Sequence, residues 1–436
     1  MTDGNGYAIS LVKRDSVTTK LKVERTFVFF VLFFSIFMEV FINYLKFPSL
    51  IRFLNDLAIV LLFITSISKV YHTFKRLKLT PVLIAVGVFF LLGVISAIIN
   101  MVSTALYIWA FRNTFRGILY FAFVVTYLDE VDIKNIFNVL YYISFLHLAL
   151  CLYQYFALGL KQDMLGGVFG SVSAMEPTTF MVILLSYYLI AYIEKKEKFR
   201  RLVFVLVSSM IISALAEERL AFIVFLCILL ASLFLTGFST RKFIVFIVAI
   251  GALGLGLYIV SVVFPDVFET LIDFENMFEY ATATWEDSYG IPRIGAFTFI
   301  NEHFFKDDTL RLIFGYGFGQ TETSELSIFQ SEFYKLYGDY KYRWFTHQWV
   351  YLEGGITGIV SYFSIFITVL VCIIRKRKQV SGYSKTLLLV GIIVAAYCIL
   401  LTVYNSTLKN DMSYIAFFGM AIGLIGTKSP CVVKKS

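Results

Sequence analysis

One unit recurs along this chain: an apolar run the length of a membrane crossing, closed at each end by a few charges. Such runs lie near 27–45, 53–69, 81–100, 105–127, 136–158, 177–193, 202–217, 219–236, 243–264, 346–372, 386–404 and 411–427. Inside hydrocarbon every backbone N–H and C=O must be bonded within the protein, so only helices and closed barrels can cross. A helix needs ~20 apolar residues to span a ~30 Å core, whereas a barrel strand shows weak alternation over ~10. The runs have the helical length. Of 436 residues, 59% are hydrophobic and 16% charged, and the mean hydropathy is +0.79. The sequence therefore predicts an all-α polytopic integral membrane protein with about twelve transmembrane helices. The seventh and eighth runs are separated only by the polar group AEER (216–219), which predicts a tight hairpin.

Lysine and arginine set the orientation. The formal net charge is +8, but the cations form short clusters between runs, which is how topology is encoded and not how nucleic acid is bound. Alternate connecting segments, among them 69–78, 128–135, 194–201, 240–242 and 375–379 together with both tails, hold 25 Lys and Arg. The opposite set holds 11, and Arg112 and Arg116 lie inside a run. The positive-inside rule then places both termini in the cytoplasm. The segment before the first run, with Lys13, Arg14, Lys20, Lys22 and Arg25, is too long and polar for a signal-peptide n-region and no cleavage motif follows, so the first run is expected to stay as a span. The expected organisation is a tail at 1–26, spans one to nine over 27–264, an external loop at 265–345 carrying amphipathic helices, spans ten to twelve over 346–427, and a tail at 428–436. The loop is anionic, with 14 acidic and six basic residues. None of the five cysteines falls in it, so neither a disulfide framework nor a zinc site is suggested.

The residues that break the apolar pattern carry the functional information. Arg112 and Arg116 share a helix face one turn apart. A charge at a helix centre costs about 2.5–3.5 kcal/mol on insertion scales. The pair therefore needs a carboxylate partner such as Asp56 or Glu39, a water-filled cavity, a route by which the side chains snorkel to the interface, or an anionic ligand. Arg219 stands at the headgroup-level end of the eighth run, where a guanidinium can grip a phosphate bidentately or pair with Glu217 or Glu218. Arg293 lies in PRIGAFTFI, where Pro292 suits a helix start and Ile294, Phe297 and Ile300 recur at amphipathic spacing. LRLIFGYGFGQT (310–321) alternates glycines but lacks the Lys-Ser/Thr of a nucleotide-binding P-loop, so nucleotide binding is rejected. Finally, WFTHQWVYLEGGITG (344–358) brings His347 and Glu353 to the start of the tenth run. An imidazole there can take up a proton, or simply bond at the interface beside Trp344 and Trp349.

Taken together, ALAEERLAF, the large loop, Arg293 followed by LIFGYGFGQT, and H-x5-EGGITG resemble the O-antigen polymerase and O-antigen ligase superfamily of bacterial polysaccharide assembly, most closely a Wzy-type polymerase. GVFGSVSAMEPTTF (167–180) resembles that superfamily's Gly-rich approach to the sixth span, whereas Glu217 and Glu218 stand where it commonly has Ser-Arg. The resemblance implies a GT-C-like glycosyltransferase architecture in the bacterial inner membrane. It implies transfer of a growing glycan from undecaprenyl pyrophosphate to another lipid-linked repeat unit on the outer face, without a cofactor or metal. His347 would be the catalytic base, assisted by Glu353, and Arg219, Arg293, Arg112 and Arg116 would bind pyrophosphate. Trp344, Tyr342 and Tyr316 would stack on sugar or contact membrane. The implied partners are the lipid-linked oligosaccharide, membrane lipids and a chain-length regulator protein. A ligase acting on lipid A core shares this chemistry. A lipid-linked oligosaccharide flippase is the rival from another class, expected to show internal repeats and discontinuous helices.

Overall fold

The computed structural model describes residues 23–171, 175–237, 239–273 and 290–428. Among them helices dominate and no strand occurs. The helices are α1 (Val23–Tyr44), α2 (Phe53–Arg76), α3 (Thr80–Ile99), α4 (Thr104–Tyr127), α5 (Glu130–Phe156), α6 (Met175–Ile193), α7 (Phe199–Leu215), α8 (Arg219–Leu235) and α9 (Thr240–Val263). The loop region adds α10 (Pro265–Ile272), α11 (Ala296–Ile300), α12 (Thr309–Phe314) and α13 (Glu332–Tyr337). The chain closes with α14 (Thr346–Arg375), α15 (Gly382–Tyr404) and α16 (Ser413–Ile425).

Each of the twelve apolar runs contains a helix, and eight of those helices are long and apolar enough to cross a membrane. The chain is a helical membrane protein. The other four fall short for physical reasons. α7, α8 and α16 have only 17, 17 and 13 residues, and α4 has the length but carries Arg112, Asn113, Thr114 and Arg116. α4 and α16 pack on each other, so neither depends on matching lipid thickness over its whole surface.

Local signals explain several helix starts. Pro81 opens α3, Ser103 caps α4 by accepting from Leu106 N, and Asp129 with Asp132 forms a capping box on α5. AEER makes the expected hairpin by a Schellman motif: Glu217 takes φ +55, with Glu218 N bonding Ser213 O and Glu217 N bonding Ala214 O. Around Arg293 the expectation needs correcting. No helix starts at Pro292; α11 begins at Ala296, after Gly295 at φ +87, and buries Ala296 and Ile300 while Ile294 and Phe297 stay exposed.

Burial separates core from periphery. The most apolar stretches of α6 and α15 are 89% and 78% buried, against 22% for α3 and 28% for α2 and α9. α6, α15 and α16 therefore form the centre, and the outer helices turn large apolar side chains outward. α15 and α16 touch backbone to backbone, because Gly391 and Gly423 leave no side chain between them.

The basic connecting segments gather at one end of the bundle, where they close helix C-termini. Lys376 Nζ bonds Leu77 O just beyond α2 at 2.5 Å, and Lys428 Nζ bonds Leu128 O beyond α4 at 2.6 Å. Arg241 reaches Tyr192 O in the last turn of α6 at 3.0 Å, and Arg377 reaches Leu235 O in α8 at 2.6 Å. Orphan carbonyls carrying the negative end of a helix dipole favour such partners. Residues read as topology signals thus also satisfy backbone.

Candidate functional site

The site is built on a broken helix. Within α14, Gly355 adopts φ +58 and ψ −152, which ends one half-helix and starts another. The freed carbonyls are not left bare. Tyr316 N donates to Leu352 O at 2.8 Å, Gly317 N to Glu353 O at 3.1 Å, and Ser96 Oγ to Glu353 O at 2.9 Å. The glycine run 315–319 is therefore a backbone cap for the break, not a phosphate loop. Gly315, Gly317 and Gly319 all have positive φ, and a Cβ on Gly315 would stand 2.5 Å from Leu352 O. Gly355 is equally constrained, since a Cβ there would meet the Ile313 backbone at 2.6 Å.

Glu353 lies at the base of the half-helix in a buried ionic cluster. Its Oε2 accepts from Lys409 Nζ at 2.8 Å and its Oε1 from Gly319 N at 3.1 Å. Lys409 Nζ is also 3.8 Å from Glu322, which accepts from Asn113 at 2.9 Å and has Arg343 at 3.6 Å. The two carboxylates and the lysine are at most 1% exposed. The Trp349 ring lies between cations, with Lys409 at 3.9 Å and Arg343 at 4.0 Å from its centroid. Burial pushes the Glu322 carboxyl above its ordinary range and Glu353 adds to this, against Lys409, Arg343 and Asn113. The cluster joins α4, the glycine turn, α14 and the segment before α16.

His347 occupies the other end of the same half-helix. Thr346 anchors it, donating from N and Oγ1 to Asn405 O at 2.9 and 2.7 Å. Gln348 Nε2 donates to Pro292 O at 3.1 Å, which ties in the segment bearing Arg293. The imidazole is 3% exposed, and neither ring nitrogen has a hydrogen-bond partner among the described residues. Backbone of Thr402, Val403 and Arg293 approaches it without hydrogen-bond geometry. Phe297 packs edge-on at 5.7 Å and Phe345 lies at 6.0 Å. The Arg293 guanidinium sits 5.1 Å from the same Phe345 ring and 5.3 Å from Tyr404. Arg293 and His347, fifty-four positions apart in the chain, thus share one aromatic wall.

The remaining predicted residues are distributed elsewhere. Arg112 is held by Asp56, with Nε and Nη2 at 2.8 and 2.7 Å from one carboxylate oxygen, and stacks over Trp109 at 4.6 Å. Arg116 pairs with Asp411 and reaches Lys409 O at 3.3 Å. Arg219 opens α8 beside the hairpin. Tyr342 is fully buried with its OH on Thr321 O at 2.7 Å, and Tyr316 OH bonds Phe304 O at 2.5 Å. Trp344, 55% exposed with Lys341 Nζ over its ring at 4.7 Å, is the exposed one of the three. Glu353 is committed to Lys409 and Gly319 and does not touch the imidazole.

Sequence reasoning missed Lys409 and Glu322. The signal for Lys409 was a lone lysine in the short segment NSTLKND between two apolar runs, where only headgroup-level polarity is expected. Glu322 directly follows the glycine turn in GQTE and looked like one more acid of an anionic loop. Comparison of the chain with protein-family models and with curated proteins gives no match.

Proposed function

We propose that this chain is a membrane glycosyltransferase that polymerises lipid-linked glycan repeat units at the outer face of a bacterial inner membrane. A hydroxyl of one unit attacks the anomeric carbon of a glycan carried on polyprenyl pyrophosphate. The new C–O bond forms as the C–O bond to pyrophosphate breaks, and the hydroxyl proton moves to an imidazole nitrogen of His347. Charge builds on the departing pyrophosphate, where Arg293 supplies a fixed cation and Arg219 is the second candidate. Arg112 and Arg116, each already on a carboxylate, serve this reading as a scaffold.

The observation carrying the proposal is the imidazole with both nitrogens unpartnered, sharing an aromatic wall with a guanidinium where a polar segment meets a membrane helix. A buried polar group normally has its hydrogen bond, and a catalytic role is one physical reason for an exception. Phe297, 42% exposed, must swing aside for a substrate hydroxyl to reach the ring. Reconstitution of the purified chain with a defined lipid-pyrophosphate repeat unit, with and without a chelator, tests the reading. Polymer is expected in both, and lost in His347→Ala and Arg293→Gln. Normal ladders from both variants would sink it.

One observation favours a second reading. The break at Gly355 makes α14 a discontinuous helix, a device transporters use to place charge at a binding site. Against it, the exposed carbonyls are capped by Tyr316 and Gly317 rather than left for a ligand. A flippase would move lipid-linked units across vesicles without joining them, which the same reconstitution distinguishes.

A further inference from the structure

A second site lies at the opposite, basic end of the bundle, away from His347 and independent of the glycosyl-transfer reading. Between α5 and α7 runs a cleft of about 480 Å3 walled by Leu148, Phe199, Val203, Phe204, Val207 and Ile211. Its one fully buried polar residue, Ser208, is satisfied within its own helix by Val205 O at 3.1 Å. Nothing in the wall would recognise a sugar; the cleft accepts hydrocarbon. Along α7 it extends from Arg200 to Ile211, ~16 Å at 1.5 Å per residue, or about one leaflet of a ~30 Å core.

The mouth of the cleft is cationic. Residues 194–201 read EKKEKFRR, and both acids are already engaged: Glu194 with Lys385 at 2.9 Å and Glu197 with Arg201 at 3.1 Å. Lys195, Lys196, Lys198 and Arg200 are exposed and form no ion pair among the described residues. Arg200 itself lines the cleft. Lys198 is the N-cap of α7, and no acid follows in the first turn. Cations are electrostatically disfavoured at a helix N-terminus, so the helix itself offers no reason for this cluster.

The geometry points to a bound anionic phospholipid, one acyl chain lying in the α5–α7 cleft and its phosphate held by Arg200 and Lys198. The occupant is fixed by charge complementarity together with the one-leaflet length of an apolar slot.

The test uses the full chain in phosphatidylcholine nanodiscs doped with phosphatidylglycerol or phosphatidylcholine carrying an acyl-chain diazirine. Photolabelling of the peptide spanning 199–211 is read by mass spectrometry. Phosphatidylglycerol should label it about tenfold or more above phosphatidylcholine, since each juxtamembrane cation contributes about fivefold. The pair K198Q and R200Q should bring the two lipids close to parity. V207W, which fills the slot, should suppress labelling by both; V203W does so from the outer turn should V207W not assemble. Glycerol phosphate at millimolar concentration should not compete. Equal labelling by the two lipids in the unmodified chain would overturn the site. So would labelling unmoved by the tryptophan variants, or full competition by glycerol phosphate, which would mean that a free phosphate suffices.

Discussion

Glu353 and His347 stand less than two turns apart on one half-helix, yet their surroundings are opposite. Around Glu353 nearly every hydrogen-bonding position is filled: Lys409 and Gly319 hold the carboxylate, and the glycine turn and Ser96 hold the backbone. Around His347 the wall is aromatic and neither ring nitrogen has a hydrogen-bond partner among the described residues, although backbone of Thr402, Val403 and Arg293 lies near. A saturated ionic cluster fixes a backbone; an unsaturated imidazole is available for chemistry. The half-helix thus divides its labour, holding position at its C-terminal end and presenting a proton acceptor at its N-terminal end.

The largest effect that would sharpen this contrast is kinetic. His347→Ala should lower the polymerisation rate by about 10²–10⁴-fold, the usual weight of a general base, while the melting temperature in detergent stays near that of the unmodified chain. Equal loss of stability would make His347 another packing residue and erase the difference between the two ends. Lys409→Met should do the reverse, destabilising the fold by about 3–5 kcal/mol because it strands Glu353 without its cation. The double variant K409M and E353M should recover part of that loss, since a buried pair removed whole costs far less than a buried pair broken. Additive losses in a thermal-unfolding cycle would mean the two residues do not act as a pair.

Much of the fold was legible because apolar run length is a direct physical requirement of hydrocarbon. Each predicted run carries a helix, and AEER turns where its polarity required. Of the two carboxylates the sequence offers Arg112, Asp56 takes it, while Glu39 pairs with Arg52. The site was less legible because its contacts are distant in sequence and made by backbone. GYGFG suggested ligand approach, but its glycines are demanded by Leu352 and Leu106 carbonyls that sequence order does not bring near. Lys409 meets Glu353 across 56 residues and Asn113 meets Glu322 across 209, so neither pair leaves a local signature. Arg293 and His347 could be coupled only through the resemblance, because nothing in their spacing says that they share Phe345.

A smaller break in the comparison comes from the hinge between the halves of α14. Gly355→Ala imposes a left-handed φ on an L-residue and crowds the Ile313 backbone, at about 1–3 kcal/mol. Activity should fall with stability here, unlike in His347→Ala, because straightening the helix detaches the glycine cap and tilts the N-terminal half together with its imidazole. Retained activity at reduced stability would show that the break does not set the position of His347.

The smallest effect concerns the protonation of the saturated end. Glu322 is buried beside Glu353, and its carboxyl holds a proton to higher pH than the ~4.3 of an unfolded glutamate. The native state therefore binds that proton more tightly than the unfolded state. Its contribution to stability is complete below the unfolded value and is lost as pH rises through the raised one. The melting temperature should decline as pH rises through the raised value, by more than the rest of the chain dictates. Glu322→Gln keeps an oxygen for Asn113 but cannot ionise, so its profile should lie flatter. Parallel profiles for the two proteins would mean that Glu322 stays charged throughout, balanced by Arg343 and Lys409, and that the cluster around Glu353 is two complete ion pairs rather than one pair and a neutral acid.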